Sequence, residues 1–260
     1  MKKFRLLFLL LPLLINSCGV FKNVDSGRAV VAGASAVTAL SISDKQVAEL
    51  SRQYVHKLDS SSNVAPADNK YAIRLNKIMK KFKNIDNLNV NYKVYLTKEV
   101  NAFASGDGSL RVYSGLMDKM TDDEVFAVVG HELGHVKNKD AKDQMKHAYL
   151  TVAARYAIGS VSPTAGALSD GVLGEIGQVL STSAYSRKQE YAADEAAFNY
   201  CVANGVDPYA MYDALNVLIS ISNSSGGSIG AMQHLFSSHP ETKKRAERVK
   251  NMADKVTGKN

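Results

Sequence analysis

Cysteine is scarce in this chain: Cys18 and Cys201 are the only two among 260 residues. No disulfide framework can hold the fold, and Cys201 reads as a small buried residue rather than a nucleophile. Long apolar runs are also missing. The one candidate, Leu6 to Ile15, is broken by Pro12 and is too short to remain as a membrane span. Between residues 147 and 182 glycines and polar residues interrupt every apolar stretch, so no transmembrane hairpin is expected. Finally, the basic clusters at Lys80, Lys81, Lys83 and at Lys243, Lys244, Arg245 lie on helix-like segments with a single aromatic, Phe82, among them. These read as solvated helix faces, and nucleic acid is not an expected partner.

What is present is sharper. Val125 to Val136 contains His131, Glu132 and His135, spelling H-E-x-x-H. Thr121 with Glu124 three residues on forms a capping box, and Val125, Val128, Val129, Glu132 and Val136 recur at helical spacing. On a helix, residues i and i+4 lie one above the other, so both imidazoles can grip one cation. Two neutral imidazoles suit zinc, and Glu132 leans to the side where it can reach a water.

A catalytic zinc takes three protein ligands and keeps one position open. The arrangement H-E-x-x-H-x-x-G-x-x-H is excluded, because Asn138 and Ala141 stand where its glycine and third histidine belong. The better source is the alanine-rich segment Ser186 to Ala197, where Glu190 and Asp194 are four residues apart on one helix face. One carboxylate can bind the metal while the other fixes the tautomer of a ligand histidine.

Met1-Lys2-Lys3-Phe4-Arg5 and the short apolar run form a signal peptide. It ends in Leu14-Ile15-Asn16-Ser17-Cys18, which resembles the lipobox of bacterial lipoproteins, so Cys18 is expected to carry a lipid anchor. Gly19 in place of an aspartate favours the periplasmic face of the outer membrane. Removing residues 1–17 takes away Lys2, Lys3 and Arg5 and no acid, lowering the net charge from +7 to +4. The remaining 243 residues suffice for one substantial core.

Residues 18–43 read as a tether turning into the first helix, and 44–260 as a single domain. Ser43 and Gln46 open a helix to about Leu58; a second is expected over Asn69 to Phe82. Val90 to Leu96, Asn101 to Ser105 and Leu110 to Ser114 alternate as strands, the last two joined at Gly106-Asp107-Gly108. An edge strand here could pair with an extended peptide, or the strands could simply build core. Residues 147–182 admit broken helices or a flap. Later helices are expected from Tyr209 to Ser220 and after Pro240, with a glycine-rich loop at Ser222 to Gly230. His56, His147 and His234 lie in no motif. The class is α+β and mostly helical, with a small, mainly antiparallel sheet beside the H-E-x-x-H helix.

Three motifs in this order, H131-E-L-G-H135, R187-x-x-E190-x-x-A-D194 and H239-P-x-x-x-x-R245, resemble the gluzincin metallopeptidases that include the HtpX and CAAX-prenyl proteases. With N-A-F-A, R-V-Y-S-G-L, T-D-D-E-V and the lipobox, the chain is similar to their soluble periplasmic lipoprotein branch, the LoiP-like proteases. The likeness spans residues 44–252 and implies a zincin-type domain. It further implies one Zn2+ held by His131, His135 and Glu190, with Glu132 as general base. Asp194 would hold His131, and His239 would lie across the cleft and donate to the oxyanion. Arg245 would orient the site or contact substrate, and Asn101 and Ala102 would contact the bound peptide. The expected activity is endoproteolysis of misfolded or outer-membrane proteins in the envelope, with envelope protease or assembly factors as partners. A second reading makes the chain a chaperone or assembly factor for outer-membrane proteins with a latent zinc site. A purely structural zinc fits less well, since three ligands leave a position open.

Overall fold

The computed structural model describes residues 26–82, 85, 88–157, 183–224, 238–240 and 242–259. Cys18, His234, the stretch 158–182 and most of the loop expected at 222–230 lie outside them. Helices α1 (Ser26–Ser41), α2 (Asp44–Ser61) and α3 (Lys70–Met79) come first. Strands β1 (Asn91–Tyr95), β2 (Ala102–Ala104) and β3 (Ser109–Tyr113) follow, then the single turn α4 (Ser114–Met117). The chain continues through α5 (Asp122–Lys137), α6 (Asp140–Ala157), α7 (Arg187–Ala203), α8 (Ala210–Ser224) and α9 (Thr242–Thr257). Among the described residues no helix is long and apolar enough to cross a membrane.

Helix starts are written into the sequence as reciprocal caps. In α2 the Ser43 N–H donates to Gln46 Oε1 at 2.9 Å; in α5 the Thr121 N–H donates to Glu124 Oε2 at 2.7 Å. In α7 the Ser186 N–H donates to Gln189 Oε1 at 3.0 Å. Each box satisfies donors that a helix start leaves without an intrahelical partner.

Three details differ from the sequence reading. The small-residue run at 29–40, read as part of a tether, folds as α1. Its Val31 and Ala39 join Met145, Ala148, Tyr149 and Val152 of α6 in a separate apolar cluster. The small residues let the two helices lie close together. The sheet is mixed, in the order β1-β3-β2: the β2–β3 hairpin is antiparallel as expected, but β1 pairs parallel to β3. The second helix also stops early, at Met79, leaving Phe82 to stack on Phe126 of α5 at 3.9 Å.

Helix α5 is the axis of the main core. Every residue from Val125 to His135 is buried, so it is enclosed all round and not only along one apolar face. Its closest neighbour is α7, and glycines set the spacing. A Cβ at Gly134 would sit 2.9 Å from Ala196 Cβ and 3.0 Å from Ala193 Cα; one at Gly130 would sit 3.2 Å from Ala197 Cα. Glycines on one helix against alanines on the other therefore let the backbones approach, and this approach builds the site.

Candidate metal centre

Because α5 and α7 touch through Gly130, Gly134, Ala193 and Ala197, the residues beside these contacts face each other. His131, His135, Glu190 and His239 each place one donor atom within 4.8 Å of the others, and all four are buried. The His135 and His131 Nε2 atoms are 3.1 Å apart. Glu190 Oε1 lies 3.5 Å from His135 Nε2, and Oε2 lies 3.7 Å from His131 Nε2.

The other ring nitrogens are committed. His131 Nδ1 is 3.0 Å from Asp194 Oδ1, and His135 Nδ1 is 2.7 Å from Asp140 Oδ2. Since the carboxylates can only accept, both Nδ1 atoms carry the proton, and neutral rings then present Nε2 lone pairs to each other. Two lone pairs at this separation repel unless a cation lies between them. The charge balance agrees: buried Glu132, Glu190, Asp194 and Asp140 outnumber the buried Arg245 guanidinium. Nitrogen and carboxylate donors in this number fit a divalent metal.

Titration behaviour follows from the same contacts. Burial and the nearby Arg245 charge lower the His131 pKa, favouring the neutral ring a metal needs. Burial also acts against protonation of His135, but hydrogen bonds to Asp140 and Glu190 outweigh it and raise its pKa to about 9. That nitrogen therefore sits where positive charge is favoured, which a metal supplies in place of a proton. Burial opposes ionisation of Asp194, yet Arg245 and His131 hold its pKa near 2. Glu190 is likewise kept ionised against its burial by His239 and His135.

Glu132 lies on the outer side of this cluster. Its Oε2 accepts the main-chain N–H of Ala104 at 3.1 Å, and its Oε1 is 3.8 Å from His239 Nε2. An apolar recess lined by Val128, Met211, Leu215 and Leu218 opens beside Glu132 and His131. Among the described residues no strand pairs with the outer edge of β2, which runs past the same point. Asn101 O accepts from Tyr113 N at 3.0 Å and Ser105 N donates to Ser109 O at 2.8 Å, so the main-chain groups of Ala102 and Ala104 face away from β3.

Three of the expected residues take the following places. Arg245, offered as a substrate contact or an orienting group, is 2% exposed. Its Nε and Nη2 donate to Asp194 at 2.9 and 2.7 Å, and its Nη1 abuts Glu190 Oε2. It orients the carboxylates, one of the two roles expected for it. His239, expected across the cleft, has Nδ1 2.9 Å from Glu190 Oε1 and 3.3 Å from His131 Nε2, among the ligand donors. Asn101 has its carbonyl tied to β3, so Ala102 carries the free edge. His56 and His147 are exposed and away from the cluster.

Sequence reasoning missed Asp140 and Tyr185. Asp140 reaches His135 because α5 ends through Lys139, whose φ of 60° turns the chain back under the helix. Lysine gives no hint of that left-handed turn, which usually calls for glycine or asparagine. Tyr185 stacks on the His135 ring at 3.8 Å and 11°, covering a ligand from solvent. Its only sequence signal is its place just before the cap of α7.

Comparison with known proteins agrees with this geometry. Peptidase family M48 matches residues 66–253. The chain is similar to Metalloprotease LoiP of Escherichia coli (strain K12), 39% identical over 231 residues, covering 88% of this chain and 89% of that protein. Metalloprotease YcaL of the same organism is 37% identical over 239 residues, covering 92% of each. Protease HtpX homolog of Methanopyrus kandleri is 30% identical over 188 residues, covering 61% of this chain and 58% of that protein. The H-E-x-x-H helix, the facing E-x-x-x-D helix and these matches over most of the sequence place the chain in peptidase family M48, as a metalloendopeptidase.

Proposed function

We propose that the chain is a zinc-dependent endopeptidase of the bacterial envelope that cuts misfolded or outer-membrane proteins. The observation that carries the zinc reading is the convergence of His131, His135 and Glu190 donors beside the Glu132 carboxylate. Zinc held by these three would polarise the scissile carbonyl and lower the pKa of the attacking water toward about 7.

The protein's own groups do the rest. Glu132, held by the Ala104 N–H, takes the proton from the water and passes it to the leaving amine. Asp194 and Asp140 fix the tautomers of His131 and His135, and Arg245 anchors Asp194 and Glu190. His239, with Nε2 facing Glu132, donates to the oxygen of the tetrahedral intermediate. The free edge of β2 aligns the peptide by strand addition. Envelope placement rests on the lipobox ending at Cys18. The test is digestion of casein or an unfolded outer-membrane protein by the full chain, with zinc stripped and restored. Cleavage that follows zinc supports the reading; cleavage indifferent to chelation overturns it.

A further inference from the structure

Helix α1 is apolar on two sides, and the described residues cover only one of them. Val31, Ser35 and Ala39 recur every four residues on the buried side, which meets α6. The opposite side carries Ala29, Val30, Gly33, Val37 and Leu40, all exposed. Val30, Val37 and Leu40 are 59%, 65% and 82% exposed, and a Cβ on Gly33 would meet nothing within 4 Å. Among the described residues these three are drawn from only eight large apolar side chains left in solvent, so the exposure is concentrated on one helix. Arg28 is the single charge in α1. Helix α2, by contrast, turns Lys45, Glu49, Arg52 and Lys57 outward, as a solvated helix does. A helix apolar all round belongs in a core or against lipid, and α1 is not long and apolar enough to cross a membrane.

We infer that the face formed by Ala29, Val30, Gly33, Val37 and Leu40 lies on the membrane surface to which Cys18 anchors the chain; this rests on the lipid-anchor reading above. Seven residues, 19–25, separate Cys18 from Ser26. Even fully extended, that length of chain spans at most about 29 Å. The anchor therefore keeps α1 beside the leaflet, where lipid is at high effective concentration. The chemistry fits as well, since none of the five side chains carries a polar group that needs a specific partner. Five small and medium side chains on one helix also fall short of the roughly 20 residues a side that a stable protein interface uses. Behind α1 lies α6, which opens on Asp140, the residue that bonds His135. Contact along α1 thus holds the metal centre in one orientation over the leaflet instead of letting it swing on its tether.

The experiment places the full lipidated protein in vesicles of phosphatidylethanolamine and phosphatidylglycerol, with a bimane fluorophore on Val37→Cys, Leu40→Cys or Ile73→Cys. Cys201 is buried and stays unlabelled. Ile73 is the control, 56% exposed but on α3, which packs in the main core. Lipid carrying a nitroxide near the headgroup should cut emission at positions 37 and 40 at least about twofold, as for an apolar face about 5–10 Å into the leaflet. Emission at position 73 should not change. Val37→Glu should release the label at position 40 from quenching, while the protein still pellets with the vesicles through Cys18. Melting curves show whether each variant is folded, and the three labels in the otherwise wild-type chain decide the matter should Val37→Glu not fold. Labels at 37 and 40 that lipid does not quench overturn the inference, whether they face water, a second copy or another segment of the chain. Equal quenching at 73 overturns it too, since the domain then turns freely on its anchor. Absence of an acyl group on Cys18 by mass spectrometry instead removes the anchor reading, and the inference falls with it.

Discussion

The main-chain N–H of Ala104 donates to Glu132 Oε2 at 3.1 Å, tying the edge strand to the H-E-x-x-H helix beside the metal donors. A glutamine at 132 retains an oxygen that can accept this bond but cannot take a proton from water. Glu132→Gln should therefore keep wild-type zinc content and melting behaviour while turnover falls by about 10²- to 10⁴-fold. Kinetics on a quenched peptide, run beside elemental analysis of the same sample, check both halves.

Gly134 is predicted to be the glycine on which the close approach of α5 and α7 depends most. A methyl group there meets Ala196 Cβ at 2.9 Å and Ala193 Cα at 3.0 Å, so α5 and α7 must part. Gly134→Ala should cost about 1–3 kcal/mol of stability, as overpacking does. It should also weaken zinc binding, since the same separation moves Glu190 from the two rings. Urea unfolding of the metal-free protein and a competition titration with a chromophoric chelator measure these effects; an unaltered affinity would contradict the packing argument.

Asp140 is expected to act on the metal through His135. With the 2.7 Å contact to Nδ1 removed, the ring can rotate or change tautomer. Asp140→Ala should lower zinc affinity by about 10- to 100-fold, and Asp140→Asn, which still offers an acceptor oxygen, by less. The same chelator titration ranks the three proteins.

Stability at acid pH should report a second cluster, on the outer face of the sheet. Asp59 accepts from Arg111 Nε at 2.7 Å, Arg111 Nη2 at 2.9 Å, Lys93 at 2.8 Å and Tyr95 at 2.6 Å. Burial works against its ionisation, but these donors win and hold its pKa well below the usual carboxylate range. A carboxylate whose pKa is depressed on folding stabilises the protein above its unfolded value of about 3.9 and loses that contribution as pH falls. Asp59→Ala leaves the buried Arg111 without its counter-ion and should cost about 3 kcal/mol at pH 7. Urea midpoints should show that gap constant from pH 7 to pH 5 and shrinking below about pH 4.

Much of the centre can be read from the sequence because its signals are local. Thr121 with Glu124, and Ser186 with Gln189, announce the two helices, and i,i+4 spacing puts each donor pair on one face. What could not be read depends on non-local geometry. Asp140 reaches His135 only through the left-handed turn at Lys139, a residue that does not mark such turns. By composition Arg245 reads as part of a basic surface run, and only the likeness to known peptidases puts it at the site, where one turn of α9 carries it inward to Asp194. The small residues of α1 look like linker until Met145, Ala148 and Val152 of α6 are seen to pack against them. Strand β1 pairs directly with β3 although β2 comes between them in the sequence, and chain order alone does not disclose that parallel register.

The central claim is that α5 and α7 jointly hold one metal ion, and zinc occupancy of the Glu190→Ala protein tests it most directly. Glu190 is 1% exposed and brings the α7 carboxylate to both ring nitrogens. Elemental analysis after dialysis against a weak chelator should find one zinc per chain in wild type and in Glu132→Gln, and almost none in Glu190→Ala. Full zinc occupancy in a folded Glu190→Ala protein would contradict the account.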